Sequence, residues 1–248
     1  MTKVKDITSC LDSLFPRENA ESYDNPGLLT GAYDREVSVC VLTLDATLDK
    51  VEYAKANKAS MMITHHPLIF GGILDVCEEN VSGKILSSLI RSDISLFAAH
   101  TNLDKNHEYS NDVLAKVLGG EDIIHIDDIE CGVAYKLESD TTLGEYCAIV
   151  KDALGTSGII TYSDPGKKVR KVFVQGGAFD EEVISSLKAD GIDTVVSGEI
   201  KHHVMILLEQ MGISCIAAGH KATEDVFMTH LADVLTKKFP EVSFLVSL

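Results

Sequence analysis

The chain alternates short β-branched runs with helical patterns, and it does so twice; this recurrence narrows the folds open to it more than any other feature. Val37 to Leu44, Met61 to Thr64 and Ile94 to Ala99 read as strands, with helices expected between them over Asp49 to Ala59 and Ser82 to Arg91. A second series keeps the same order: strand Val169 to Val174, helix Glu181 to Ala189, strand Thr194 to Ser197, helix Val204 to Met211, strand Ile213 to Ala217. Strands separated by single helices predict parallel or mixed α/β sheets. The unit ending Met61-Met62-Ile63-Thr64 matches the unit ending Thr194-Val195-Val196-Ser197, and Ser95-Leu96-Phe97-Ala98-Ala99-His100 mirrors Ser214-Cys215-Ile216-Ala217-Ala218-Gly219-His220. The pattern predicts an internal duplication: two similar three-layer α-β-α halves, residues 1–130 and 131–248.

The ends of the chain add helices. Val4, Ile7, Leu11 and Leu14 fall on one helical face, and Val226, Phe227, His230, Leu231, Val234 and Leu235 recur at three- and four-residue spacing, with Thr223 the expected N-cap. Between the halves, Glu121-Asp122, Asp127-Asp128, Gly155, Gly158 and Asp164-Pro165-Gly166 suggest connecting and hairpin segments.

Composition sets outer limits. Hydrophobic residues at 45% and charged residues at 24% fit a globular protein of 248 residues and favour neither a disordered nor a fibrous class. A net charge of −16 repels phosphate backbones, which argues against nucleic acid and anionic membranes as partners. No secretory or membrane-length apolar stretch is present, and Cys10, Cys40, Cys77, Cys131, Cys147 and Cys215 are scattered without a Cys-x-x-Cys pair. Reduced thiols in a cytoplasmic protein are the expectation.

In open α/β sheets, ligands bind beyond the carboxyl ends of the strands. His65, His66, His100, Asp104, Glu199, His202, His203, His220 and Glu224 all fall at such ends. Each has a plainer explanation. A His-His pair can hydrogen-bond to backbone, His100 to Asp104 can form an ordinary Asx-type loop, and Glu224 can complement a helix dipole. His220 and Glu224 are nevertheless four residues apart at a helix start, where one ion can reach both side chains. Two sheet edges facing each other would gather all of these groups into one cleft.

Six segments together resemble the NIF-three-like family of dinuclear metal-binding proteins, often labelled type 2 GTP cyclohydrolases. They are Asp24-Asn25-Pro26-Gly27-Leu28, Leu44-Asp45-Ala46-Thr47, Thr64-His65-His66-Pro67-Leu68-Ile69-Phe70, Ala99-His100-Thr101-Asn102-Leu103-Asp104, Ser197-Gly198-Glu199-Ile200-Lys201-His202-His203 and Ala218-Gly219-His220-Lys221-Ala222-Thr223-Glu224. The resemblance implies that His66, Asp104 and Glu224 hold one ion and that His65, His220 and the same Glu224 hold the other. It also implies a site between two α/β halves, a six-subunit ring, and the compact form of the family without an inserted domain. Two departures bear on substrate shape: Lys105-Asn106-His107-Glu108-Tyr109-Ser110 lacks the glycine-rich turn expected there, and the aromatic before the Asp-Asn turn is Tyr23, one residue further out.

Three imidazoles and two carboxylates make a nitrogen and oxygen ligand set that suits Zn²⁺, Mn²⁺, Fe²⁺, Co²⁺ or Ni²⁺. Two such ions per chain would be the cofactors, with a metal-bound hydroxide attacking a small substrate, of nucleotide class by the family label. Glu199, His202 and His203 are candidate catalytic residues for proton transfer, and helix-start or ligand-supporting roles are the equal alternative. A non-catalytic ring with a binding, sensing or scaffold role is the second class of function. The roles of His100, His107, Lys201 and Lys221 stay open at this level.

Overall fold

The computed structural model describes residues 1–248, the side chain of Asp140 apart. In chain order the elements are α1 (Val4–Leu14), β1 (Gly27–Thr30), β2 (Val39–Thr43), α2 (Leu48–Ala56), β3 (Met61–Thr64), α3 (Val81–Arg91), β4 (Ser95–Ala98) and α4 (Thr101–Asp104). There follow α5 (Asn111–Val117), β5 (Glu121–Ile124), β6 (Val133–Thr142), α6 (Leu143–Ala153), β7 (Lys168–Ala178), α7 (Ile184–Ala189) and β8 (Thr194–Glu199). The last are α8 (His202–Gln210), β9 (Ser214–Ala217), α9 (His220–Lys238) and β10 (Ser243–Val246). No helix of the described residues is long and apolar enough to cross a membrane.

The protein is α/β, with two sheets in two compact units, Met1–Asn106 with Met228–Leu248, and His107–Phe227. The division does not fall at residue 130. β10 pairs parallel to β2 and returns the C-terminus to the first sheet, while α5 and β5, on the near side of 130, belong to the second. Glu121-Asp122, expected as connection, begins β5, an exposed edge strand that an acidic pair tolerates because one side faces water.

The first sheet runs β1-β4-β3-β2-β10, with β2, β3, β4 and β10 parallel and β1 antiparallel to β4. Met61, Met62 and Ile63 are all fully buried, as are Cys40, Val41 and Leu42, so both faces of the central strands are covered. That is why these strands read as unbroken apolar runs rather than alternating ones. Each such side chain contributes about 1.5–3 kcal/mol through burial. On one face Val51 and Ala54 of α2 and Ile85 and Leu89 of α3 pack against Val41, Met62 and Leu96.

The second sheet runs β5-β6-β7-β8-β9, with β7, β8 and β9 parallel. Ile184 and Leu187 of α7 and Val204, Met205 and Leu208 of α8 cover one face. α5 and α6 contact β6 and β7 from their own side, where Tyr135 and Tyr146, both buried, join their hydroxyls in a hydrogen bond. Burial raises both phenols above their ordinary range. α6 was not expected from periodicity; it is set by a capping box in which Thr142 accepts from the Glu145 amide and Glu145 accepts from the Thr142 amide.

The recurrence seen in sequence is present as element order, β2-α2-β3-α3-β4 and β7-α7-β8-α8-β9, and also as helix endings. All four helices close with a Schellman pair. Ala59 N donates to Ala54 O (2.9 Å), Ile94 N to Leu89 O (3.0 Å), Ile192 N to Leu187 O (3.0 Å) and Ile213 N to Leu208 O (2.9 Å). The pair needs a left-handed residue, which is Gly191 and Gly212 in the second unit but Lys58 (φ 56°) and Asp93 (φ 54°) in the first. A Cβ in that conformation costs about 1–2 kcal/mol, partly offset by the entropy a glycine loses on folding. Lys58→Gly is therefore expected to stabilise the protein by about 0.5–1 kcal/mol, read as a higher midpoint in urea with an unchanged slope. The six cysteines are free thiols, and burial pushes the Cys215 thiol up to about 11.

Candidate metal centre

In the first unit, β2, β3 and β4 end in register, Thr43 beside Thr64 and Thr64 beside Ala98. The residues just beyond them therefore meet: Asp45, His65, His66 and His100. The His65 and His66 rings lie 5.0 Å apart, His65 and His100 5.2 Å, and His66 and His100 5.3 Å, and one nitrogen from each lies within 4.8 Å of the other two. Each ring is turned by an oxygen acceptor. Nδ1 of the fully buried His65 donates to Ala99 O (2.8 Å), Nδ1 of His66 to Asp45 Oδ1 (2.8 Å) and Nδ1 of His100 to Asp24 Oδ1 (2.9 Å). A carbonyl or carboxylate can only accept, so Nδ1 is the donor in all three. Ligand histidines of metal sites are held in this way.

Asp24 is itself fixed. Asn25 N donates to Oδ1 (2.7 Å), and Thr101 N (3.0 Å) and the Thr101 hydroxyl donate to Oδ2. Burial works against its charge, but the hydrogen bonds from His100 and Thr101 prevail and hold the carboxyl far below the usual range. Asn102 accepts from His100 N (3.0 Å) and donates to Phe15 O (2.8 Å), which locks the loop entering α4. At the end of α4, Asp104 Oδ1 lies 3.4 Å from His65 Nε2.

The second unit repeats the plan at the ends of β7, β8 and β9. His220 and Glu224 stand on the first turn of α9, with Nε2 and Oε2 3.2 Å apart and Glu224 only 4% exposed. Nδ1 of His220 faces Glu199 Oε1 at 3.6 Å. Room for the carboxylate comes from Gly177, in the left-handed region (φ 65°), where a Cβ would stand 2.2 Å from Glu224 Oε1 and 3.3 Å from His220 Nε2. Thr223 is not the N-cap, because α9 already begins at His220. Its hydroxyl instead donates to His220 O (2.8 Å) and accepts from Gly177 N (3.1 Å), tying the glycine to the helix that carries both ligands.

The metal residues named from sequence thus fall in two sets, His65, His66 and Asp104 in one unit and His220 and Glu224 in the other. Of the catalytic candidates, Glu199 reaches His220, whereas the exposed His203 shares Glu181 with Lys201 (3.0 Å each) and His202 Nδ1 meets the Tyr162 hydroxyl (3.2 Å). His202 and His203 belong to α8 rather than to a strand end. Lys221 pairs with Asp225 one turn along, and His107 stacks against His125 at 4.5 Å, away from both ligand sets in its partners. Sequence reasoning placed His100 at a strand end beside the others but left its role open, and it assigned no part in the site to Asp24, Asp45 or Gly177. His100 and Asp45 follow the two strands that flank β3, Asp24 precedes β1, which pairs with β4, and Gly177 is signalled only by the Gly176-Gly177 pair at a strand end.

The residues fit divalent ions. Ligands about 2.1 Å from one tetrahedral ion stand ~3.4 Å from each other, which is the spacing of His65 to Asp104 (3.4 Å) and His220 to Glu224 (3.2 Å). The donors are imidazole nitrogen and carboxylate oxygen, and no thiolate enters either set.

Fold and site define an α/β protein that presents histidine and carboxylate sets of a metal-binding kind at the carboxyl ends of parallel strands. The chain belongs to the Duf34/NIF3 (NGG1p interacting factor 3) family, whose match extends over residues 2–248. It is similar to GTP cyclohydrolase 1 type 2 of Helicobacter pylori, 32% identical over 240 residues, or 95% of this chain and 92% of that one. A GTP cyclohydrolase 1 type 2 homolog of Clostridium perfringens is 27% identical over 252 residues, covering 99% of this chain and 96% of its own. Among solved structures, a Staphylococcus aureus hypothetical protein superimposes with a TM-score of 0.92 at 28% identity, over 99% of this chain and 96% of its own.

Proposed function

We propose that the two ligand sets act as one dinuclear centre and that the protein is a metal-dependent hydrolase of a small organic substrate. The observation that carries this reading is the cluster of His65, His66 and His100, each with its Nδ1 held by an oxygen acceptor and with one ring nitrogen of each within 4.8 Å of the other two. Asp104 stands against His65, so we assign these two to one ion, in place of the grouping with His66 that the resemblance implied. His66 and His220 would serve the other, with Glu224 bridging. Bound divalent ions would supply a water activated near neutral pH and counter-charge for a developing oxyanion.

The chain's own part is orientation and proton handling. Asp24, Asp45 and Ala99 O fix the rings in the first unit, and Glu199 faces His220 at ion-pair distance, 3.6 Å, so we read Glu199 as a positioning residue. His202, joined to the Tyr162 hydroxyl, remains the candidate for proton transfer; His203 is committed to Glu181. His202→Ala is expected to leave metal content unchanged and to lower kcat by about 10²-fold, the range of a general acid or base. Metal analysis of protein purified without a histidine tag should find two equivalents per chain. A value near zero would overturn the centre.

The relatives' names put GTP first among substrates to test. Metal-stripped protein given back Mn²⁺, Zn²⁺, Fe²⁺, Co²⁺ or Ni²⁺ is assayed on nucleotides, phosphoesters and cyclic amides. Turnover of one class supports the hydrolase; full metal loading with no turnover of any class favours the binding or scaffold role. We also propose a cytoplasmic homo-oligomer, six-membered by family resemblance, which light scattering on the intact protein tests.

A further inference from the structure

Between β3 and α3 the chain makes a long loop whose apolar side chains are turned outward. Leu74 is fully exposed and Phe70 is half exposed, with Ile73 and Val76 alongside. An exposed apolar group of this size marks a binding surface more often than a packing defect. The loop is also concave. Leu68, Ile69, Phe70, Ile73 and Leu74 close with Leu86 of α3 around a cavity of about 410 Å³, within the range of small-molecule sites.

Its position links it to the ligand set. The Phe70 ring meets His100 edge-on at 5.7 Å, and Asn25, the neighbour of the aspartate that orients His100, donates Nδ2 to Ile69 O (2.8 Å). The wall is thereby held one ring away from the imidazole cluster. Its chemistry is selective. No lysine or arginine lines it, and its one charged residue, Asp75, is an acid, which repels phosphate. Two of the polar side chains are engaged with each other: Asn80 Nδ2 donates to Asp75 Oδ1 (2.7 Å), and Asn80 Oδ1 accepts from Gly83 N (2.6 Å) as the cap of α3. Ser82 adds a hydroxyl, so the cavity combines apolar contact and an aromatic face with neutral polar groups and a single acid.

We infer that this cavity is a subsite for an uncharged, ring-sized apolar group, the non-reacting part of a substrate whose reacting part lies at His65, His66 and His100. The assignment to a substrate rests on the hydrolase reading above; the binding of the ring does not. A nucleotide's phosphates would have to lie elsewhere.

The test uses the neutral fluorophore N-phenyl-1-naphthylamine, titrated into the intact protein as purified, with metal content and oligomeric state measured on the same samples. One saturable site per chain is expected, weakened at least about tenfold by Leu74→Glu, which changes a fully exposed position, and likewise by Phe70→Ala. Binding that is absent, or unaltered by both substitutions, would overturn the subsite. So would a change of oligomeric state in Leu74→Glu, because a second copy of the chain would then be what covers the loop. Loss of probe binding with two metals retained removes this inference alone. Probe binding by protein that takes up no metal instead removes the dinuclear centre and leaves the ring pocket.

Discussion

Glu224→Gln protein is expected to retain well under half the wild-type metal and to lose turnover by about a thousandfold or more. The side chain is nearly isosteric, so the change removes charge and one ligand oxygen while keeping volume. Glu224 is 4% exposed, and its Oε2 lies 3.2 Å from His220 Nε2. A neutral amide offers a weaker oxygen to a hard cation, and a residue proposed to bridge affects both ions at once. Asp104→Asn is the comparison. It is assigned to a single ion in the proposed centre and should leave about one equivalent per chain. Inductively coupled plasma mass spectrometry on tag-free protein reads both, and equal metal content in Glu224→Gln and wild type would remove the bridging role.

Gly177→Ala is the second. Two costs are expected, and they can be separated. The backbone stands at φ 65°, which an L side chain adopts at about 1–2 kcal/mol. For a chain of this size that lowers Tm by ~2–8 °C. The added methyl would also stand 2.2 Å from Glu224 Oε1, so the carboxylate must swing away from His220. Gly191→Ala provides the control, since Gly191 has a similar φ of 70° with open space where its Cβ would be. Both variants should lose comparable stability in thermal melts, while only Gly177→Ala loses metal affinity, by ~100-fold, in competition with a fluorescent zinc chelator. Equal metal affinity in the two would show that Gly177 is a turn residue only.

The central strands and their helices were legible because their physical cause is local. Met61 to Thr64 is a strand with those bounds, and α3 and α8 begin within two residues of their expected starts, since a buried parallel strand and an amphipathic helix write themselves into residue order. Edge elements were less legible. β1, β5 and β10 are four-residue strands at sheet edges, and the partners of β1 and β10 are distant in sequence. Thr223 shows the same limit at one residue. A threonine before an apolar helix reads as a cap, but the Ala-Ala-Gly-His segment already turns into the helix at His220, so the hydroxyl is left to hold Gly177.

By itself the amino-acid order determined that this is an α/β protein with a repeated β-α-β-α-β plan, and that its histidines and carboxylates gather where strands end, because periodicity and strand-end placement depend on near neighbours. Tertiary structure alone decided that Asp104 stands by His65, that the His100 ring lies against both His65 and His66, that Asp24 and Asp45 turn the rings, and that Gly177 clears the space Glu224 occupies. Those facts depend on strand register and on angstrom-scale clearance between segments far apart in the chain, and spacing along a sequence carries neither.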